Sequence, residues 1–452
     1  MKDLTKGNIY KTLLLFAIPA VLSGLLSQAY ATINTILAGK LLGDDALAAT
    51  GALSPFNTFI DSMIWGYGMG LGVYVSHLFG GRDYGKMKSV LINNLRFLMT
   101  TVALLSALFI LFRYRIYAFL DIDPEIIPEC NRYFILITAG KAIIYFGNCS
   151  VSLLNGMGES SFPLLVSSIS AISNILIGAF SIVVMKMGVA GLALGSVLAG
   201  VISGCLYLWK LKKSFQALDV AKEKTPFSFA VIGQTAKYAG STMIQQSVMY
   251  FAGLILSPMI NGIGKVASAS YTVTLRIYNI NANIYQNSAK SVGNYTSQCY
   301  GAKKYHLLKK GVRVGFIQNL LFVAPTLLAC CLFPVATASL FYGADADPVS
   351  IGYSVDFFRY FLPFLVLNVF ANLFHHFFRG IGRMRLLLIT TVAGSVARII
   401  LSWLLIKPFG IYGYYLGWVF SWLVDAAVGT GLYFFGAWRK ELLPEKAGFF
   451  QK

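Results

Sequence analysis

Apolar stretches of about 20 residues, the helix length needed to cross roughly 30 Å of hydrocarbon, follow one another along almost the whole chain with only short breaks. Twelve are placed, over 12–38, 46–79, 88–112, 130–154, 162–185, 189–209, 230–260, 266–299, 312–334, 350–378, 386–406 and 411–437. With 57% apolar and 12% charged residues among 452, the chain carries too few charges to coat a water-soluble globule of this size. The stretches read as membrane spans, and the fold class as all-α integral membrane with twelve transmembrane helices.

A soluble helical protein with a large core is also apolar, so the connections supply the independent test. Counting alternate connections from the N-terminus, one side carries twenty-four basic residues, among them Lys2, Lys6, Arg82, Lys86, the lysines from Lys210 to Lys237, Lys303, Lys304, Arg383 and Lys446. The other carries six (Lys40, Arg113, Arg115, Lys186, Lys265 and Lys407) beside most of the acids, such as Asp44, Asp45, Asp121 and Asp345. Lys and Arg gather on the cytoplasmic side of membrane proteins, so both termini are expected in the cytoplasm. The net charge of +19 is then a rim facing anionic headgroups and needs no nucleic acid. The first span has no short apolar core with a small-residue cleavage site behind it, so it reads as retained. The six cysteines lack metal-ligand or disulfide-framework spacing.

The chain also repeats itself. GVYVSHLFGGRDYGKMK at 72–88 returns as GNYTSQCYGAKKYHLLK at 293–309, with six of seventeen positions identical. RYF at 132 recurs at 359, Gly156 and Gly158 match Gly380 and Gly382, and MGVAGLALG at 187–195 is answered by FGIYGYYLG at 409–417. Six spans per half is an even number, so the halves are parallel repeats about an axis along the membrane normal, an arrangement found in transporters. The expected organisation is an N-terminal six-helix lobe (1–209), a basic cytoplasmic linker (210–229), a C-terminal six-helix lobe (230–437) and a cytoplasmic tail (438–452).

The segment LFAIPAVLSGLLSQAYATINTILAGKLLGDDALAATGALSP at 15–55 resembles the opening of the multidrug and toxic compound extrusion (MATE) family, with a proline in each of the first two helices and LGxxALAA between them. GVYVSHLFGGRDYGK is similar to that family's SQxxGAKD segment, with His77 in place of the usual glutamine. Arg276 in SYTVTLRIYNI, the stretch SQCYGAKK, RGIGRMRL and VARIILSWLLIKPFGIYGYYLGWVFSW extend the resemblance over roughly residues 10–437. The resemblance implies two six-helix lobes around a central cavity, and export of amphipathic organic compounds driven by inward flow of protons or sodium through alternating access.

The chain departs from the family where coupling is usually carried. Asn34 stands at the first-helix aspartate, Gly178 replaces the acid of N-x-x-x-D after the retained Asn174, and Gln245 occupies the seventh-helix position that bears a glutamate in one branch. An amide ligates sodium through its carbonyl but cannot trade a proton, whereas a buried carboxylate can. The acids left near the middle of spans are Asp61 and Asp425; the bases include Arg96, Lys141, Arg276, Lys290, Arg359 and Arg398. Asp61 and Lys141 lie at similar depth in the first lobe, where they would pair or share the site that Asn34 vacated; the competing reading is a structural ion pair or snorkelling. For Asp425 the competing reading is a packing bond to Arg398. Arg276 and Arg398 match family positions suited to gating or bracing the lobe, or to reaching the headgroups. Adjacent His375 and His376 point about 100° apart on a helix and cannot act together. Pro19 and Pro55 are expected to bend their helices, as static kinks or as points of shape change.

No catalytic residue, cofactor or metal site is expected, because the connections lack the clustered acids, histidines or nucleophiles of a membrane enzyme. The expected partners are a small organic substrate and the lipid bilayer, with no nucleic acid, and the chain is read as a monomer in the bacterial inner membrane. The excess of deep bases over acids keeps one alternative on the same fold: a flippase or exporter of an anionic or lipid-linked substrate, with altered or absent cation coupling.

Overall fold

The computed structural model describes residues 2–42, 44–220, 222, 224–342 and 347–442. Asp345, Lys446 and most of the expected tail lie outside the described residues, as do the side chains of Lys40, Asp44 and Asp45. Every regular element described is helical. In chain order the long helices are α1 (Ile9–Leu42), α2 (Asp44–Gly80), α3 (Tyr84–Leu111), α4 (Ile127–Gly156), α5 (Ser161–Val183), α6 (Val189–Ala217), α7 (Phe229–Asn261), α8 (Lys265–Gly301) and α9 (His306–Leu332). They continue with α10 (Pro348–Gly380), α11 (Met384–Phe409) and α12 (Ile411–Phe435). These twelve coincide with the twelve expected spans apart from their ends. Helix α6 runs on to Ala217 and α9 begins at His306, because the lysines and arginines there ride on helix that continues past the apolar stretch.

Ten of the twelve are long and apolar enough to cross a membrane. The other two, α2 and α8, are the longest at 37 residues each, about 55 Å at 1.5 Å per residue. Their polar content is what sets them apart. Helix α8 alone buries Ser270, Thr274, Asn281, Ser288, Ser291, Asn294, Thr296, Ser297 and Gln298. Helices this polar are stable in lipid only with such groups turned inward.

The backbone divides into two compact units, one of Met1–Asp3 with Leu22–Met243, the other of Leu4–Val21 with Ile244–Lys452. The division falls inside α1 and α7. In the first unit α2 packs on α4, α4 on α6 and α5 on α6; in the second α8 packs on α10, α10 on α12 and α11 on α12. The same order of contacts in both units is what the sequence repeat requires.

Matched positions also carry matched backbone constraints. A Cβ on Gly156 would lie 2.6 Å from the Gly72 carbonyl oxygen, and one on Gly380 would lie 2.9 Å from that of Gly293. Gly72 and Gly293 are themselves the paired glycines of the repeat, so the second and fourth helices of each half cross backbone against backbone. Ser76 Oγ reinforces the first crossing by donating to the Gly156 carbonyl at 2.8 Å. Gly158 and Gly382 turn the chain after these helices with φ of 75° and 71°, the left-handed region that glycine enters without strain. Between the RYF match and the glycine match the offset falls from 227 to 224. The irregular turns of α10, a π-turn over Phe357–Phe361 and a 3-10 turn over Leu362–Phe364, fall at and just after the second RYF.

The connection between α6 and α7 is strapped to α3. Lys88 Nζ donates to the Val220 carbonyl at 2.7 Å, Arg96 Nη1 to that of Thr225 at 3.0 Å, and Asn93 exchanges bonds with Pro226 and Ser228. Arg96, read from sequence as a base at depth, is thus an exposed tether of this connection. Between α4 and α5, Glu159 pairs with Lys210 at 3.1 Å. Burial pushes the Glu159 carboxyl up, but the Lys210 bond and the surrounding positive charge outweigh it and hold the group below the ordinary carboxylate value.

The glycine crossings give a direct expectation. Gly156→Val and Gly380→Val each force backbone apart and lower stability by about 1–3 kcal/mol, read as a lower thermal unfolding midpoint in detergent. Gly178→Ala, whose Cβ meets no atom within 4 Å, leaves the midpoint unchanged or raises it slightly.

Candidate functional site

Within the first unit, α1, α4, α5 and α6 enclose a cavity of about 190 Å³. Helix α5 contributes Ser167, Ser170 and Asn174, spaced three and four residues apart and therefore on one face. Asn174 is buried, and its Nδ2 donates to Ser196 Oγ at 3.0 Å and to the Tyr30 hydroxyl at 3.4 Å. Half-buried Asn34 lies one helical turn from Tyr30 and beside its hydroxyl. No charged side chain lines this cavity among the described residues. Two of the neutral positions, Asn34 and Asn174, are therefore brought to one place. Gly178 sits one turn beyond Asn174 with open space where a side chain would start, so no steric conflict explains the missing acid.

Asp61 and Lys141 meet, as their depth suggested. Lys141 Nζ donates to Asp61 Oδ1 at 2.8 Å, and the Tyr145 hydroxyl donates to the same oxygen. Lys141 Nζ also lies 3.1 Å from that hydroxyl. The two sides of the pair differ: the Lys141 side chain is 6% exposed, that of Asp61 52%. The ammonium is the desolvated partner and the carboxylate is half exposed. Asp61 is also within electrostatic range of Tyr30, which links the pair to the Asn34 and Asn174 cluster.

The second unit is built differently. Asp425 on α12 packs against Gly394, and its Oδ1 lies 2.9 Å from His375 Nε2, with both side chains largely buried. The partner of Asp425 is thus His375 and not Arg398, whose guanidinium lies over the Trp418 ring at 4.7 Å. The rotation of α12 turns Asp425 toward α10, while the large Trp418 face offers the Arg398 cation its own site. Gln245 is buried and accepts from Arg379 Nη2 at 2.6 Å while donating to Thr391 Oγ1 at 3.2 Å. Arg379 also meets His376 Nδ1 at 3.3 Å, and half-buried Lys290 lies close enough to feel its charge. His375 and His376 serve different partners, as their 100° separation requires.

Other expected residues stand apart from both sites. Arg276 is exposed and forms no hydrogen bond or ion pair among the described residues. Pro19 and Pro55 lie within α1 and α2, which continue through them as helix. Among the described residues no three His, Cys, Asp or Glu side chains gather as a metal site.

Sequence reasoning missed Tyr145 and Arg379, and it assigned His375 no partner. By its place in the sequence Arg379 is one of the twenty-four basic residues on the side expected to be cytoplasmic, yet it is buried. A signal existed in the repeat: Arg379 is the residue before Gly380, and its counterpart before Gly156 is the neutral Asn155. A charge on one side only of a matched pair marks a position where the halves have diverged in task.

The MatE family signature matches residues 19–180 and 242–404. The "Probable multidrug resistance protein YoeA" of Bacillus subtilis (strain 168) is 21% identical over 75% of this chain and 74% of its own length. The "Multidrug export protein MepA" of Staphylococcus aureus (strain NCTC 8325 / PS 47) is 22% identical, and the match spans 60% of each chain. Among solved structures, "Crystal structure of MATE in complex with MaL6" superposes with a TM-score of 0.90 at 21% identity, covering 97% of this chain and 98% of that one.

The unequal exposure of the Asp61 and Lys141 pair makes its disruption directional. Asp61→Asn strands a buried ammonium and is expected to cost about 1–3 kcal/mol of stability. Lys141→Met leaves a carboxylate that water and Tyr145 still solvate, and costs less. Thermal unfolding of both variants and of the double variant checks the order, with the double variant more stable than Asp61→Asn alone.

Proposed function

The chain belongs to the MatE family of multi-pass membrane transporters, and from that premise we propose that it exports small amphipathic organic compounds by antiport against protons through alternating access. The observation that carries the choice of ion is the His375 and Asp425 contact, 2.9 Å long and largely buried within the spans. Histidine is the side chain type that changes charge between about pH 5 and 8, and a carboxylate partner gives the transferred proton a second seat. The amides Asn34, Asn174 and Gln245 supply no exchangeable proton. Gln245 is moreover occupied on both of its polar atoms, by Arg379 and Thr391.

Cargo recognition is assigned to the cavity of the first unit. Its serines, asparagines and tyrosines among small apolar residues offer hydrogen bonds and contact surface without fixed charge, which suits varied organic molecules. The names of the relatives, a multidrug resistance protein and a multidrug export protein, support the same cargo class. The anionic or lipid-linked cargo is not favoured, since that cavity is neutral and Arg379 is already engaged by Gln245 and His376. The basic rim supports an orientation with both termini in the cytoplasm of a bacterial cell.

The test is transport of a fluorescent organic dye by the purified chain in liposomes. A proton gradient is expected to drive accumulation and a sodium gradient is not. Asp425→Asn and His375→Ala should each abolish accumulation while leaving dye equilibration down its own gradient. Accumulation that persists in both variants, or that follows sodium alone, overturns the proton assignment.

A further inference from the structure

Helices α9, α10 and α12 of the second unit, with the short helix Trp438–Leu442, border an open groove of about 320 Å³. This lies at the small end of the roughly 300–1,000 Å³ range of ligand pockets. Its two ends differ in chemistry. Lys309 and Arg313 on α9 and Arg439 beyond α12 line one part, and Phe316, Phe370 and Tyr433 line another. Lys309, Arg313 and Phe316 are spaced four and three residues apart, so one helix face runs from charge to aromatic ring. The Phe316 and Phe370 rings meet with centroids 3.9 Å apart, forming an apolar floor. No acidic side chain lines the groove among the described residues.

The repeat sharpens the point. Lys309 corresponds to Lys88. In the first unit Lys88 is buried and donates to the Val220 carbonyl, which holds the connection after α6 in place. In the second unit Lys309 is exposed, and so is Arg313. Arg439 gives one nitrogen to the Phe434 carbonyl at 2.8 Å, and among the described residues its other donors make no hydrogen bond. Cations that end a set of membrane-spanning helices, directly above an apolar floor, match a ligand with an anionic head and a hydrocarbon tail.

We propose that this groove is a binding site for a phospholipid with an anionic headgroup. The phosphate is held by Lys309, Arg313 and Arg439, and the start of an acyl chain lies against Phe316 and Phe370. The site takes its ligand from the bilayer and not from free phosphate, because three cations supply charge while the rings supply contact that only a chain uses.

Native mass spectrometry of the full chain, titrated with phosphatidylglycerol or phosphatidylcholine of the same acyl composition, tests this. The wild type is expected to retain phosphatidylglycerol preferentially, and each basic residue removed should weaken it by about fivefold. Lys309→Gln with Arg313→Gln therefore brings its affinity close to that of phosphatidylcholine, and Arg313→Gln alone gives the smaller step if the double variant is poorly produced. Lys212→Gln with Lys237→Gln, which removes two exposed charges from the basic rim of the first unit, should change nothing. Equal retention of the two lipids, an equal loss in the Lys212 and Lys237 variant, or displacement of bound lipid by inorganic phosphate at millimolar concentration overturns the proposal.

Discussion

The structure depends on two helix crossings in which backbone meets backbone, Gly72 with Gly156 and Gly293 with Gly380. In lipid the apolar side chains of two helices gain nothing by leaving water, since there is none to leave; association rests on close packing and on polar bonds between helices. Glycine at the crossing permits the closest packing. It also fixes how the second helix of each half is rotated against the fourth, and rotation decides which side chains meet. Asp61 on α2 reaches Lys141 on α4 because that crossing holds the two helices in register. Lys290 on α8 lies near Arg379 on α10 through the matched crossing in the other half.

Around this common frame the two halves have been filled with opposite electrostatic choices. The first unit keeps its cavity neutral, with the Asp61 and Lys141 pair within electrostatic range of Tyr30 on its wall and the Asp61 carboxylate half exposed. The second concentrates Arg379, Lys290, His376 and the His375 and Asp425 pair among buried or half-buried groups. An isolated charge inside such a medium costs several kcal/mol. The second unit distributes that cost: Arg379 is shared between Gln245 and His376, and Asp425 has His375. Duplication makes the difference possible, because one copy of a site can change its charge while the other keeps the neutral arrangement.

The twelve spans, the repeat and the meeting of Asp61 with Lys141 were all legible in the sequence. Span length and the alternation of basic residues depend on the solvent alone, so hydropathy carries them. Depth along a span is also readable, and it was enough to bring one pair together. The direction in which a side chain points was not readable. Soluble helices reveal their inner face by an apolar stripe, but a span surrounded by lipid is apolar on nearly all sides, and an error of one residue turns a side chain by about 100°. Sequence position alone sets Asp425 against Arg398, one helix earlier, whereas its partner is His375. Arg96 was misplaced for another reason: its partner, the Thr225 carbonyl, belongs to a connection with no periodic signal of its own.

The neutral cavity of the first unit limits where a proton-dependent step can sit. A cavity without fixed charge binds organic molecules of differing charge by shape and hydrogen bonds, but it has no group whose ionisation alters that affinity. The neutrality of Asn34, Asn174 and Gly178 therefore moves any proton-dependent step to another residue. In the first unit the nearest titratable carboxylate is Asp61, half exposed and already bonded to a lysine and a tyrosine. The second unit carries Asp425, bonded to a histidine. Adding a proton to the Asp61 and Lys141 pair removes a carboxylate and leaves a buried cation unbalanced. Adding one to the His375 and Asp425 pair gives an imidazolium facing a carboxylate, each stabilising the other. The second pair can hold a proton without stranding a charge, which is why the proposed exchange is placed there.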